Sequence, residues 1–487
     1  MNENIEHNRN TIEGKTRCTG HARVSRFFGT SKLSMPERYY LILCFVIYMF
    51  WMFVFISRFY GPDEYMRFNI PKFILENKAL PYGWEESLRD PNWGISYGFD
   101  IAMPYLLSAC FMWIASLFTQ SEISLLLAAR LTSALSMVGA GYFAIQLSRK
   151  VFGENPLRWI FIVLSTLLPQ IVFLGSYVNL DSFSYFTALM IVYCWLDCME
   201  QKWSIRSTSL LAIALGLCLL SYKFAYGFVL MTLFLYIAWH IAHRTETSFK
   251  SFILKGLLVL AIVFVVCGWK FIRNAVIYDG DFLSLSASQP YAEAYALEAY
   301  KPSLRVSLKD QGIGPLRMLE VMPWTVSTYE SLIGIFGYMY IRMPEWFYSS
   351  YQWLFGVGII GMLIKLAIAA AMPRKFGFKR DAVIAGASLF LASLVTLTIS
   401  IYFSWCQDYQ AQGRYIITFT PLLFLVTSNG LSEWIDLMYK IPVMGRVNKE
   451  GIQKSMVFIV CLFVFFSMIA GFYACLCEIA YAGQPFP

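Results

Sequence analysis

Charge is what this sequence has least of. Asp, Glu, Lys and Arg make up 14% of the 487 residues, against about 25% in ordinary soluble proteins. Such a chain cannot cover a surface that faces water on every side, which excludes a cytosolic enzyme, a secreted domain, and a fibrous or disordered chain. Histidine is scarcer still, at 4 residues, and no Ser/His/Asp grouping suggests itself. The 11 cysteines are numerous but show no zinc spacing and no disulfide framework. Most, including Cys44, Cys110, Cys194, Cys218, Cys267 and Cys461, fall inside apolar runs, where a thiol behaves as a small hydrophobe; Cys475 and Cys477 stand two apart near the C-terminus. Internal repeats and low-complexity tracts are missing, so the chain reads as one integrated helical domain. No small-residue cleavage site follows the first apolar run, and its polar lead-in of 38 residues is too long for a secretory signal, so that run is expected to stay as an anchor.

What is present is apolar surface in blocks. Hydrophobic residues are 58% and aromatic residues 17% of the chain, with a mean hydropathy of +0.55. Runs of 18 or more apolar residues recur, such as Tyr39 to Ser57 and Met456 to Leu476, the signature of membrane-crossing helices. The net charge of +8 does not imply nucleic acid, because the basic residues sit between the runs rather than on one face. Their meaning is topology. Runs fall near 39–57, 99–118, 123–147, 157–178, 182–198, 207–221, 224–242, 254–270, 346–371, 382–404, 415–437 and 456–477. If 99–118 crosses, the clusters Arg374, Lys375, Lys379, Arg380 and Lys440, Arg446, Lys449, Lys454 face outward. If it lies in the outer interface, they join Arg149, Lys150, Lys202, Arg206 and the 7 basic residues of the N-terminal tail inside.

The second arrangement predicts an all-α polytopic membrane protein with about eleven transmembrane helices and long extracytoplasmic loops containing interfacial helices. Residues 1–38 form a cytoplasmic basic tail, 39–478 the membrane domain, and 479–487 an outer tail. The long outer loops are 58–121 and 271–345, a length that usually carries function. Most acids, among them Asp63, Asp100, Asp181, Asp279 and Asp408, then lie outside. His240 and His243 lie on the other side, and His7 and His21 in the tail.

Five outer segments can carry chemistry. Gly61-Pro62-Asp63-Glu64 follows the first span and precedes Tyr65, Arg67 and Phe68. Partial desolvation there would raise a carboxylate's pKa toward general-base work, whereas the plainer reading of Asp63 is a helix cap. Asp181, in Ser176-Tyr177-Val178-Asn179-Leu180-Asp181, is an ionisable group at the edge of the hydrocarbon layer, or again a cap. Lys223 follows an apolar stretch too short to cross, which places it in a cavity as an anion ligand unless it snorkels to the interface. Trp269-Lys270-Phe271-Ile272-Arg273-Asn274 runs into Tyr278-Asp279-Gly280-Asp281; the first part reads as an interfacial belt, the second as a turn whose two acids weakly resemble a metal pair. Gln412-Gly413-Arg414-Tyr415 opens a late span, where Arg414 can hold a phosphate and Gly413 allow close backbone approach, or both can simply anchor a helix end.

In this order the motifs resemble the GT-C superfamily of integral-membrane glycosyltransferases, which includes the protein O-mannosyltransferases and the aminoarabinose transferases of lipid A. The acid pair after the first span, the Met103-Pro104-Tyr105 region, Arg130 to Leu135, Asp181 and the Lys223 break carry the likeness. Pro62-Asp63-Glu64, Arg273-Asn274 with Tyr278 to Asp281, Ser331 to Gly337 with Pro344, and Gln412 to Tyr415 look more closely like the bacterial membrane-protein family called domain of unknown function 2142. The resemblance implies transfer of a sugar from a polyprenyl-phosphate donor to a glycan, lipid or protein acceptor outside the cytoplasm. It assigns catalysis to Asp63 with Glu64 and Asp181, and binding of substrate and phosphate to Lys223, Arg273, Asn274, Gln412 and Arg414. No metal ligands are assigned, and a divalent metal ion is the one cofactor left open. Unlike the aminoarabinose transferases, the chain has Ala102-Met103 rather than a Lys before Pro104, and it lacks the soluble C-terminal domain of some relatives. The competing functions are a transporter or flippase of lipid-linked saccharides, kept alive by Arg130 and Lys365 within apolar runs, and an outer-leaflet glycan polymerase or ligase.

Overall fold

The computed structural model describes residues 32–54, 59–440 and 448–481. Most of the 1–38 tail, Arg446 and the end of the 479–487 tail lie outside the described residues. The helices, in chain order, are α1 (Met35–Val54), α2 (Glu64–Asn77), α3 (Met103–Ser116), α4 (Glu122–Phe152), α5 (Arg158–Leu167), α6 (Pro169–Leu174), α7 (Asp181–Glu200), α8 (Ile205–Leu219), α9 (Tyr226–Ala242), α10 (Phe249–Ile277), α11 (Gln289–Tyr295), α12 (Pro315–Val321), α13 (Trp324–Gly334), α14 (Glu345–Ala371), α15 (Arg380–Cys406), α16 (Thr420–Met438) and α17 (Lys449–Tyr481). Strands β1 (Ile335–Phe336) and β2 (Ile341–Arg342) pair antiparallel after α13.

Among the described residues, 9 helices are long and apolar enough to cross a membrane: α1, α4, α7, α10, α14, α15, α17, and α9 and α16 with the 3₁₀ turns that lead into them. The other two expected spans are a broken helix and a short one. The run 157–178 divides into α5 and α6 at Pro169, which has no amide hydrogen to donate and holds Leu168 extended at ψ 132°. α8 has 15 residues and ends ahead of the Lys223–Ala225 turn. α3, with 14 residues, rises only about 21 Å, short of a hydrocarbon core of about 30 Å.

α7 is the centre of the bundle: 89% of its apolar window is buried inside the protein, against 11% for the peripheral α10. Two of its hydroxyls bond back to the preceding turn, Ser184 Oγ donating to Leu180 O and Thr187 Oγ1 to Ser184 O, as an apolar surrounding favours. α14 and α16 cross at backbone contact, since a Cβ on Gly430 would stand 1.7 Å from the Gly358 carbonyl.

Charge is sorted between the two ends of the bundle. At one end Glu37 accepts from Arg149 Nε at 3.0 Å and Arg158 Nη1 at 2.9 Å, and Lys150 meets Asp197 at 3.1 Å. At the other end the two long loops form one cap: Leu297 N donates to Asn92 O (3.0 Å), Tyr278 Oη to Tyr82 O (2.8 Å) and Ser284 Oγ to Phe99 O (2.9 Å). Trp84 and Tyr291 stack between the loops with centroids 5.8 Å apart.

Candidate active site

Beneath this cap, Asp63 begins α2 in a left-handed conformation, φ 61° and ψ 9°, which L-residues rarely adopt and Asp tolerates better than most. It holds the N-cap position, yet its side chain caps nothing. The carboxylate instead accepts from Arg414 Nη2 at 2.7 Å and lies 3.9 Å from Arg67 Nη2. Arg414, 3% exposed, also donates through Nη1 to Pro62 O (3.2 Å) and through Nε to Gln412 Oε1 (2.7 Å). The turn at residues 61–63 and the turn that opens the α16 span are thereby locked together, 351 residues apart in sequence.

Burial disfavours the Asp63 carboxylate, but the two guanidinium charges outweigh it and hold its pKa below the usual Asp range. This corrects the expectation of a raised pKa at the membrane surface. The side chain remains 31% exposed and faces a cavity of about 620 Å³, whose walls also include Arg414, Gln412, Tyr97 and Tyr415.

Glu64, the next residue, points away from the cavity. It is 0% exposed and forms a two-point ion pair with Arg130, at 2.8 and 2.9 Å. It also accepts from the amides of Val178 and Tyr60, both at 2.9 Å. Both oxygens are therefore used in joining α2, α4 and the turn before α7. Arg130 is the buried partner of Glu64, and Lys365 donates to Asn429 Oδ1 at 3.4 Å.

Asp181, 2% exposed, is the first residue of α7. The cap expected of it is supplied by Asn179, whose Oδ1 accepts from Ser182 N at 2.8 Å. Asp181 Oδ2 has no hydrogen-bond partner among the described residues and lies within electrostatic reach of Arg414, Arg67 and Asp63.

Sequence reasoning passed over Arg67. Its guanidinium is 1% exposed, 4.6 Å from the Tyr97 ring centroid and 5.6 Å from that of Tyr222, with Nη1 reaching Tyr105 Oη at 3.4 Å. The available signal was the four-residue spacing from Asp63, which places both on one helix face.

Tyr222 leads into a second cluster. Asp100 meets Lys270 Nζ at 2.8 Å through Oδ1 and Lys223 Nζ at 3.4 Å through Oδ2. Lys223 also donates to Ser284 O at 3.0 Å. The Asp100–Lys270 approach lacks hydrogen-bond alignment, so Lys270 Nζ is buried without a hydrogen-bond partner among the described residues. Arg273 donates to Pro81 O, and buried Asn274 donates to Phe282 O at 3.3 Å. Lys223 thus has two protein partners, Asp100 and the Ser284 carbonyl. Asp100 and Lys270 went unassigned in the sequence, although Lys270 in an apolar helix carried the same signal as Lys223.

Two readings are corrected by geometry. The room beside Gly413 is taken by α13, since a Cβ there would stand 2.2 Å from Leu332 N. Asp281 closes its own loop, accepting from the amides of Leu285 (3.0 Å) and Ser286 (2.8 Å), and among the described residues no group of three His, Cys, Asp or Glu side chains could hold a metal ion.

No protein-family model matches the chain, so domain of unknown function 2142 gains no support, and no curated protein matches it. Solved structures do. The apo oligosaccharyltransferase of Archaeoglobus fulgidus is 14% identical with a TM-score of 0.54, covering 93% of this chain and 57% of its own. The oligosaccharyltransferase AglB of the same organism, in complex with an inhibitory peptide and a dolichol-phosphate, gives 13% and 0.52 with the same coverage. ArnT from Cupriavidus metallidurans bound to undecaprenyl phosphate gives 13% and 0.50, covering 94% of this chain and 77% of its own. The chain therefore spans little more than half the length of the oligosaccharyltransferases. The likeness is one of fold, the GT-C membrane fold that the motif order resembles.

Proposed function

We propose that this protein is an integral-membrane glycosyltransferase that moves a sugar from a polyprenyl-phosphate donor to an acceptor on the extracytoplasmic side. The observation that carries the reading is the Asp63 carboxylate, held by Arg414 and Arg67, open to a cavity under the joined outer loops and adjoining a lysine cluster through Tyr222. In the reaction an acceptor hydroxyl oxygen attacks the anomeric carbon while the bond from that carbon to the phosphate oxygen breaks, and polyprenyl phosphate leaves with the electron pair. Asp63, ionised and with a lowered pKa, is a weak base; it accepts a hydrogen bond from the attacking hydroxyl and aims it, taking the proton as the new bond forms. Lys223, Lys270 and Arg273 stabilise the departing phosphate, with Arg414 and Arg67 on the acceptor side of it. Gln412 orients Arg414 through its side-chain oxygen, Asn274 fixes the loop after α10 by donating to Phe282 O, and Asp181 lies within electrostatic reach of Arg414. Glu64 braces the turn and does not react.

A resident divalent ion does not fit this donor set. The carboxylates that would hold it, Asp63 and Asp181, already face two guanidinium groups, and no step is assigned to a metal.

The test uses the full chain in lipid nanodiscs with polyprenyl-phosphate sugars radiolabelled in the sugar. Release of polyprenyl phosphate with label on an acceptor, abolished by Asp63→Asn, is the expected result. Donor that crosses the bilayer with its sugar–phosphate bond intact would identify a flippase and end the enzyme reading.

A further inference from the structure

The cavity above Asp63 has a chemical character of its own. None of the lysine cluster lines it: Lys223, Lys270 and Arg273 lie outside, while Asp63 and Arg414 belong to its wall. The rest of the wall comes from the two outer loops, the β1–β2 turn and the segment between α15 and the α16 span, with no residue from the middle of a span. The lysine cluster is therefore not part of the wall of this cavity.

Four glutamines line the cavity, Gln289, Gln407, Gln410 and Gln412, of which Gln410 is already engaged by Asp408 and Tyr415. The side chains of Gln289 and Gln407 make no hydrogen bond among the described residues, and Gln412 uses only its oxygen, toward Arg414. A carboxamide both donates and accepts, which matches a hydroxyl, itself donor and acceptor, better than it matches an ion. Aromatic residues share the wall with the amides. Arg305 covers one face of Trp93 and Arg67 one face of Tyr97, while Tyr338 is 49% exposed, a flat apolar surface of the kind on which the C–H face of a pyranose packs. The charges are three carboxylates, Asp63, Asp310 and Asp408, against two guanidinium groups, Arg305 and Arg414, so the wall has no surplus of positive charge to select an anionic guest. At about 620 Å³ the space falls within the usual range of ligand sites.

From the amides, the exposed Tyr338 face and the charge balance, we infer that the acceptor is an uncharged saccharide and that it occupies this cavity with one hydroxyl against Asp63. This rests on the transferase reading and narrows it. An acyl lipid would need an apolar wall continuous with the spans, and a phosphorylated acceptor a cationic wall.

Saturation-transfer NMR on the full chain in nanodiscs free of glycoside detergent tests the inference. The probes are neutral methyl hexosides, deoxyhexosides, pentosides, N-acetylhexosaminides and a neutral trisaccharide, with a glucuronide and a Ser/Thr-containing peptide as controls. Saturation of at least one neutral saccharide is expected, with a Kd weakened about tenfold or more in Gln407→Ala/Tyr338→Ala, while an unchanged melting temperature shows that the variant is folded. The inference is overturned if no neutral saccharide is saturated, if the double variant binds as well as the parent, or if the glucuronide or the peptide binds as strongly. Binding needs no turnover, so saccharide binding alongside intact donor would sink the transferase reading alone. Transfer of label to peptide without saccharide binding would sink this one alone.

Discussion

Asp63 and Glu64 are joined by one peptide bond and have opposite surroundings. Asp63 is 31% exposed and meets its arginines through one oxygen, leaving a lone pair toward the cavity. Glu64 is wholly buried, with both oxygens occupied by Arg130 and by amides. The left-handed backbone at Asp63 accomplishes the separation, turning one side chain toward the cap and the next into the bundle. A charge with a spare lone pair can do chemistry, and a charge with none can only hold elements together.

Substitutions should separate the two roles. Glu64→Ala leaves Arg130 buried without its carboxylate and should cost about 3–5 kcal/mol of stability, a large part of the roughly 5–15 kcal/mol typical of a folded protein. Thermal unfolding in nanodiscs measures this, and the paired change Glu64→Leu with Arg130→Met should recover most of it. Asp63→Asn should lower transfer by about 10²–10⁴-fold, as loss of a positioned acid–base group does, while costing less stability than Glu64→Ala, because the amide oxygen can still accept from Arg414 and the side chain is 31% exposed. If both variants instead lost stability equally, the contrast between the residues would collapse.

Next in size, Lys270→Ala and Lys223→Ala should each raise KM for the polyprenyl-phosphate donor several-fold, Lys270 more because it is buried. Equal KM values in both variants and the parent would remove the cluster from donor binding. The smallest effect is on pH dependence. Because the folded pKa of Asp63 is depressed, its ionised form contributes stability above the unfolded value of about 3.9. That contribution disappears as pH falls through the folded value. Arg67→Gln should raise the folded pKa, so that the loss begins at higher pH; acid unfolding curves that superimpose would show that Arg67 does not act on Asp63.

Some of this was legible in the residues and some was not. Long apolar runs identify spans because an unpaired backbone polar group cannot remain in hydrocarbon, so helix is obligatory there. The break at Pro169 went unseen because a 22-residue apolar run, 157–178, looks continuous when only hydropathy is read. Asp63 and Arg414 were each conspicuous as polar residues at span ends. Their contact, across 351 residues, was not, since nothing local links the two. Lys223 stood out as a lysine within an apolar region, but its partner Asp100 lies in an irregular loop with no periodic signal. Asp181 looked like a cap because helix starts favour Asp, and only the packing shows Asn179 in that role.

The sequence by itself determined the solvent and the approximate number of spans. Each follows from composition over a short stretch, because desolvation acts residue by residue. Tertiary structure alone decided which acid keeps an exposed edge and which is wholly buried in its pairs, that Arg67 and Lys270 belong with the candidate site, and that the two long loops close over one cavity. Those properties depend on distances between residues far apart in the chain, set by how α2, α4, α7 and the α16 turn pack, and no local pattern encodes them.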